Sequence, residues 1–567
     1  MLALPRALGA AILLLCFPLS GQAQGPSRQP VDLIVIDANI VTVNPRMPSA
    51  EAMAVLDGKI VALGGSEAIL ATFNPAERID AGGATVLPGL IDAHAHVMGL
   101  GLALRTLDLV GTRSPEEIAA QVREAAAERE PGEWILGGGW DQNDWEVKAF
   151  PTHAILDEVA PENPVWLDRV DGHAGWVNAA AMKVAGIDST TPDPEGGRIE
   201  RDAAGRPTGV FVDNAQDLVY GAMPDPGAEE LGARLDAAVE RMASVGLTGV
   251  HVMGASQEAV ELYQRRASEN RLQSRLVVYL SAGSAFDWWR EGGSASTAET
   301  NRFRVLGVKF YADGALGSRG AALLAPYSDD PGNRGLLVTH PDTLAARVAL
   351  AMELGLQPVI HAIGDRGNRV ALDAIAFGTG QLEPASPGPA APARPPRIEH
   401  VQVVALEDIA RFVDLGVIAS FQPTHATSDM YWAEERVGPE RIQGAYAWRT
   451  FRDAGAAIVC GSDFPVESAN PFYGIYAAVS RQDREGWPAG GWRPEERMTR
   501  EEALACFTID AARAAGMEDE VGSLAVGKRA DFVIVDRDPL TAPVEDLWKT
   551  RVLRTVIDGQ TAYEAEP

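Results

Sequence analysis

The sequence predicts an α/β chain: a closed (β/α)8 (TIM) barrel, a small composite β-sandwich built from both termini, and an inserted subdomain after the first barrel strand. Three observations predict it. Short apolar, strand-like runs alternate with helical stretches through the middle of the chain. They end near His96, His251, Leu280, Asp313, His361, Val403, Phe421 and Asp463. Eight strand–helix units in one chain favour closure into a barrel over a doubly wound sheet. Both ends of the chain read strand–turn–strand. Lastly, residues of metal-ligating type stand at the strand ends, where such barrels keep their functional side chains.

The chain has 567 residues, enough for about three structural units. Its 46% hydrophobic and 7% aromatic content is that of a core-forming protein. A formal charge of -29 argues against nucleic acid or an anionic membrane as partner and is otherwise a solvated surface. Residues 1–23 read as a secretory signal. Arg6 is the only charge, the apolar run Ala7 to Leu19 is too short to span a bilayer, and Gly21-Gln22-Ala23 suits signal peptidase. The competing reading is a retained N-terminal anchor. The expectation is export to a bacterial periplasm, with no stable membrane association after processing. Beyond the signal only Cys460 and Cys506 remain, and nothing about them indicates a disulfide framework. Homo-oligomerisation is left open.

Residues 31–84 are short strands with turns, among them Asp57-Gly58, a hairpin signal between Ala52–Leu56 and Lys59–Leu63. Residues 523–567 have the same texture, and the two segments are expected to form one sandwich. Residues 85–111 and 227–522 supply the barrel. The first step between barrel strands is about 150 residues, against roughly 31 per unit in an ordinary barrel, so 112–226 is an insertion. It opens on a capping-box helix, Ser114-Pro-Glu-Glu117. Leaving from the catalytic end of strand 1, it would lie over the mouth as a lid, where Trp140 and His173 are candidate substrate contacts. The bland alternative is that they simply pack the subdomain. Thr499-Arg-Glu-Glu502 is a second capping box, and residues 379–396, rich in Pro, Ala and Gly, form a surface loop.

The run Thr85 to Val97 ends in His94-Ala-His96. In a strand Asp92, His94 and His96 share a face, and two imidazoles about 7 Å apart can close on one divalent ion. Lys309 is notable because the chain has six lysines against 43 arginines and this one lies in an apolar strand. Alternation puts Val305, Gly307, Lys309, Tyr311 and Asp313 on one face and Leu306, Val308 and Phe310 on the other. A buried ammonium needs a counter-charge, a depressed pKa or covalent change. Carboxylation would give an anion able to bridge two metals; an ion pair with Asp313 or Asp463 is the alternative. His361 and His400 each end an apolar strand, and each taken alone reads equally as a satisfied buried histidine. Asp463 ends the last strand and can both bind metal and take a proton.

On these motifs the chain resembles the amidohydrolase superfamily, in its amidohydrolase 3 branch, which includes N-substituted formamide deformylase. The residues are Pro88-Gly-Leu-Ile-Asp-Ala-His-Ala-His96, Val308-Lys-Phe-Tyr-Ala-Asp-Gly-Ala-Leu-Gly-Ser-Arg319, His361, His400, Gly461-Ser-Asp463 and Gly527-Lys-Arg-Ala-Asp531, with Asp171-Gly-His-Ala174 beside them. The resemblance implies a metal-dependent hydrolase cleaving a C–N bond of an amide-like small molecule (N-acyl, N-formyl or cyclic amide) by attack of metal-activated hydroxide. It implies His94, His96 and Asp463 on one ion, probed first as Zn2+, and His361 and His400 on a second if Lys309 is a carboxylated bridge. Asp463 would be the proton shuttle, with His173, Trp140 and Arg319 at the substrate. Deamination or ester or lactone hydrolysis on the same site is the alternative chemistry, although deaminases of this superfamily usually lack the bridging lysine. A non-catalytic secreted binding protein would be expected to lack ligands, and all six are present.

Overall fold

The computed structural model describes residues 28–293, 298–380 and 394–566. The expected signal (1–23) and most of the 379–396 loop lie outside those residues. Eight parallel strands form a nearly closed barrel: Leu90–Ala95, Leu247–Ala255, Arg275–Ser281, Phe303–Tyr311, Gln357–Ala362, Arg397–His400, Ile418–Phe421 and Ile458–Cys460. These are the eight expected from the sequence, and they pair in chain order. Nearly every strand residue is buried, as a parallel sheet covered on both faces requires. The last strand returns to the first through side-chain chemistry. The Ser462 hydroxyl donates to Asp92 at 2.6 Å, the Ser462 N–H donates to the same carboxylate at 3.0 Å, and the Asp463 N–H donates to the His94 carbonyl at 2.8 Å. Gly461 allows this approach, since a Cβ there would lie 2.5 Å from His94 N.

The two ends of the chain do form one sandwich. A four-stranded sheet from Gln29–Ile36, Ala52–Leu56, Lys59–Gly64 and Phe73–Asp80 faces a six-stranded sheet that includes Thr85–Pro88, Phe532–Val535 and Val552–Ile557. Leu33, Val35 and Ile60 of the first meet Val86, Phe532 and Val556 of the second in a shared core. The Asp57-Gly58 turn has positive φ at both positions (52° and 70°), the geometry a two-residue hairpin of the primed type needs. The run 85–97 is not one strand, however. Thr85–Pro88 pairs with Phe532–Val535 in the sandwich, and only after Gly89 does the barrel strand begin. Asp531 accepts from the buried Arg275 guanidinium at 2.8 Å, fastening the sandwich to the third barrel strand.

A second difference is local. Strand 3 to strand 4 pairing skips a residue, with Val278 opposite Val305 and Tyr279 opposite Gly307. Leu306 therefore joins the inner cluster with Ile91, Tyr279 and Val359, while Val305, Val308 and Phe310 pack outward. Strict alternation placed Leu306 on the wrong face, because a bulge adds a residue without changing apolar character. Lys309 still faces inward.

The insertion is a six-stranded sheet running from Leu107–Asp108 to Pro207–Asp213, with the capped helix Pro115–Ala127 on it. Its centre is aromatic: Trp140 stacks 5.9 Å from Trp145 and meets Trp176 edge-on at 6.1 Å. Among the described residues, no helix is long and apolar enough to cross a membrane.

Although nothing in the sequence indicates a disulfide framework, Cys460 and Cys506 form a disulfide joining barrel strand 8 to the helix Arg500–Cys506. Spacing alone carried no sign of it, because the partners are brought together by barrel closure. Cross-linking residues 46 apart restrains the unfolded chain by about 4 kcal/mol in the loop-entropy view. We therefore expect Cys460→Ser with Cys506→Ser to unfold at a lower urea midpoint than the oxidised protein. Coincident midpoints, with no free thiol detected in the parent under denaturant, would count against a stabilising bridge.

Candidate metal centre and its surroundings

All four strand-end histidines of the barrel face one space at its C-terminal end. His94 and His96 point their Nε2 atoms at the same oxygen, Asp463 Oδ1, at 3.3 and 3.1 Å. These three residues can place one ligand atom each within 4.8 Å of one another. His400 lies 4.7 Å from His94 and 4.5 Å from His361, ring centre to ring centre. Asp463 Oδ1 and His361 Nε2 are buried and have no hydrogen-bond partner, which is costly unless another group completes them. A divalent cation suits this donor set of neutral imidazole and carboxylate. Burial, together with the neighbouring cationic groups, holds His361 and His400 well below the ordinary histidine range, so both are neutral and have lone pairs to offer. Burial would raise Asp463, but the surrounding imidazoles, His94 and His96 at Oδ1 and His400 beside them, hold it well below the usual carboxylate range.

The backbone is strained where the ligands are presented. His400 has φ 73°, Val401 47° and Asp463 63°. A β-branched residue at positive φ is uncommon, and such strain persists where surrounding structure enforces it.

Three of the candidate ligand histidines are oriented from behind. His94 Nδ1 donates to Glu399 at 2.6 Å, and Glu399 is in turn gripped by Arg397 at 2.9 and 3.1 Å. All three side chains are fully buried. Arg397 also reaches His251 Nδ1 at 2.9 Å and the Ala93 carbonyl at 2.7 Å. His96 Nδ1 donates to the Met253 carbonyl at 3.0 Å, and His400 Nδ1 donates to Gln422 Oε1 at 2.9 Å.

Lys309 is 1% exposed, with Nζ 3.3 Å from His94 Nε2 and 5.3 Å from the centre of the Tyr311 ring. Burial brings it down to about 8. The Lys309–Asp313 ion pair considered from sequence is not formed. Asp313 instead accepts the N–H groups of Ala322, Ile363 and Gly364. Among the described residues no carboxylate lies within ion-pair distance of Nζ, Asp463 included.

A profile of the Amidohydrolase family matches residues 77–563. The chain belongs to the amidohydrolase family. It is 31% identical to N-substituted formamide deformylase of Arthrobacter pascens, over 94% of this chain and 98% of that one. It is 33% identical to Protein LONG AFTER FAR-RED 3 of Arabidopsis thaliana, over 94% and 91%. A metal-dependent hydrolase from Pyrococcus horikoshii OT3 superposes with a TM-score of 0.72 at 28% identity, covering 90% of this chain and 99% of that one.

The insertion of this amidohydrolase reaches the site through His173. Its ring centre is 5.1 Å from that of His361, and Nδ1 donates to Asp213 at 2.7 Å. Burial alone would lower its pKa, but the Asp213 hydrogen bond and charge carry it above the usual value. Gly314 makes room for this pair, since a Cβ there would fall 2.8 Å from Asp213 Oδ2. Trp140, the other candidate contact in the insertion, has no exposed surface. Its indole N–H is donated to the Leu167 carbonyl, and it packs the insertion's core and offers a substrate nothing. Arg319 pairs with Asp329 at 2.9 Å. Asp329 also takes Arg436, which reaches Asn143 of the insertion at 3.2 Å, so this group ties the insertion to the barrel.

Four residues around the site escaped the sequence reading. Arg397 and Glu399 were legible as two like-facing charges in an apolar strand. Asp213 gave no signal. His425, in Gln422-Pro-Thr-His425 just beyond strand 7, stands with Nε2 3.8 Å from Asp463 Oδ2 and belongs to a second convergent group with His400 and Asp463. It was missed because the search stopped at the strand ends.

Glu399 fixes which His94 nitrogen keeps its lone pair, so removing its charge should weaken metal binding. Glu399→Gln is expected to lower metal affinity about 10- to 100-fold by competition with a chelating dye. Unchanged affinity in a folded variant would show that Glu399 only balances Arg397.

Proposed function

We propose that this amidohydrolase cleaves a C–N bond in an amide-like small molecule, an N-acyl, N-formyl or cyclic amide. The observation that carries this reading is the convergence of His94, His96 and Asp463 at the C-terminal mouth of the barrel. The likeness to N-substituted formamide deformylase supports the bond type. In this reading His94, His96 and Asp463 would hold one Zn2+-like ion. His361 and His400 would hold a second, with Lys309, as a carbamate, a further ligand. A bound divalent ion supplies an activated water and polarises the substrate carbonyl. Asp463 takes the proton that water gives up and returns it to the leaving nitrogen. His173, held by Asp213, orients the substrate from the lid, and the insertion walls keep bulk water from the reacting atoms.

Lys309 is suited to carboxylation because burial favours its neutral amine over the opposing pull of the Glu399 and Asp463 charges, neither of which is within ion-pair distance. The amine nitrogen adds to CO2 and loses a proton, leaving one negative charge and two oxygen ligands. Lys309→Ala should lose metal, chiefly from the His361/His400 side, and a short carboxylic acid should restore part of it. Carbon-13 labelling near neutral pH would reveal the adduct. Full metal loading with an unlabelled Lys309 removes the bridge from the mechanism.

Release of amine from a panel of formamides, N-acyl amino acids and cyclic imides tests the reaction itself. Esters, lactones and aminated purines serve as the competing arms. Asp463→Asn should fold and lose at least about 10²-fold in kcat. Turnover confined to esters or aminated rings would overturn the C–N assignment.

We also propose export to an oxidising compartment. The 1–23 segment motivates it, and the buried Cys460–Cys506 disulfide supports it, since such bonds are rare in reducing cytosol. N-terminal sequencing of the periplasmic fraction should begin at Gln24. A cytosolic protein starting at Met1, with both thiols free, would sink the idea.

A further inference from the structure

Two histidines lie side by side at the mouth, nearly parallel and 6.0 Å apart: His400 and His425. By donor type alone they look interchangeable, and either could join Asp463 around an ion. Their hydrogen bonds say otherwise. His400 Nδ1 faces the carbonyl oxygen of Gln422 at 2.9 Å, whereas His425 Nδ1 faces the amide nitrogen of Gln402 at 3.1 Å. A carbonyl oxygen can only accept, so the His400 proton is on Nδ1 and Nε2 keeps its lone pair. An amide NH2 can only donate, so His425 Nδ1 must accept and its ring proton sits on Nε2. With the two amides placed this way, Gln422 Nε2 having no partner of its own, the glutamines impose opposite tautomers on neighbouring rings.

We propose that His425 is a catalytic hydrogen-bond donor to the substrate carbonyl oxygen and not a metal ligand. Its Nε2 is among the buried polar atoms without a partner, in a residue 7% exposed. Asp463 Oδ2 is 3.8 Å away, too far for a hydrogen bond. A buried donor left without an acceptor is costly and uncommon in native proteins, and a preset one beside the reacting atoms serves to meet charge that develops there. An N–H on Nε2 also leaves no lone pair for a cation. The carbonyl oxygen of a substrate seated against His425 Nε2 would supply the missing acceptor, and the hydrogen bond would shorten as that oxygen gains negative charge. The role is an early-formed contact made by the barrel itself, distinct from orientation by His173 from the lid.

The inference rests on the hydrolase reading, and three measurements separate the failure of one from that of the other. Plasma mass spectrometry should find His425→Ala with the metal content of the parent. Its kcat should fall about 10²- to 10³-fold, with KM changed far less, as expected for loss of one such donor. His425→Gln, which returns an N–H near the Nε2 position, should recover at least about tenfold of that loss. Nitrogen-15 spectra of histidine-labelled parent protein, with the His425 signals identified by difference from His425→Gln, should show Nε2 protonated both before and after metal loading. Loss of metal in His425→Ala, or a protonated Nδ1 with metal-shifted Nε2, would overturn the proposal and make His425 a ligand. Wild-type turnover in His425→Ala would overturn it as well. If the parent cleaves nothing in the panel, the hydrolase reading fails, while the spectra and metal content still decide whether His425 is a donor or a ligand.

Discussion

The site depends on one buried contact, the Arg397–Glu399 ion pair at the centre of the barrel. Both side chains are fully buried, so their desolvation must be offset by interactions of good geometry. The guanidinium makes two bonds to Glu399, one to the Ala93 carbonyl and one to His251. Through Ala93 it touches strand 1, through His251 strand 2, and through Glu399 it aims His94 of strand 1. A charge pair that would be a poor source of stability acts here as a fixture. It ties the strands that carry the ligands and selects the nitrogen that His94 presents.

Around that fixture the ligand loops are held out of their preferred backbone shapes. His400 and Val401 turn the end of strand 6, and Asp463 turns the end of strand 8, all with positive φ. Asp463 is pinned on one side by its own N–H to the His94 carbonyl, and Ser462 before it is bound to Asp92. The same contacts therefore close the barrel and point the carboxylate. Barrel closure and the aim of Asp463 are not separable at strand 8, and the disulfide of Cys460 secures that strand.

Much of this was legible in the sequence because it follows from periodicity. The eight strand ends, the two-terminus sandwich and the inward Lys309 came from alternation and turn residues, and two capping motifs marked helix starts that the structure contains. What failed did so for identifiable reasons. The break at Gly89 divides one apolar run between two sheets, and apolar residues suit both. The bulge at Leu306 shifts a face without changing composition. Trp140 sits in a glycine- and tryptophan-rich stretch that reads equally as pocket wall or core, and only its enclosure by Trp145, Phe150 and Trp176 decides. The partnership of Cys460 with Cys506 and of His173 with Asp213 depends on tertiary closure, which local pattern does not encode.

The arrangement also divides labour between the barrel and its insertion. Every residue assigned to metal comes from the barrel, whose strands are buried on both faces and give the ligands little freedom. The insertion contributes His173, carried in the short turn between its third and fourth strands. That turn is itself braced, because the His173 N–H donates to Asp171, whose carboxylate also holds the buried Arg169. Asp213 then crosses from the last inserted strand to set the ring against His361. An insertion built this way can change its exposed walls without moving the barrel histidines, since His173 is anchored within the insertion. Sequence variation in the insertion should therefore alter which substrate is accepted more readily than whether metal is bound, and the rigid part of specificity would be the His173–Asp213 pair.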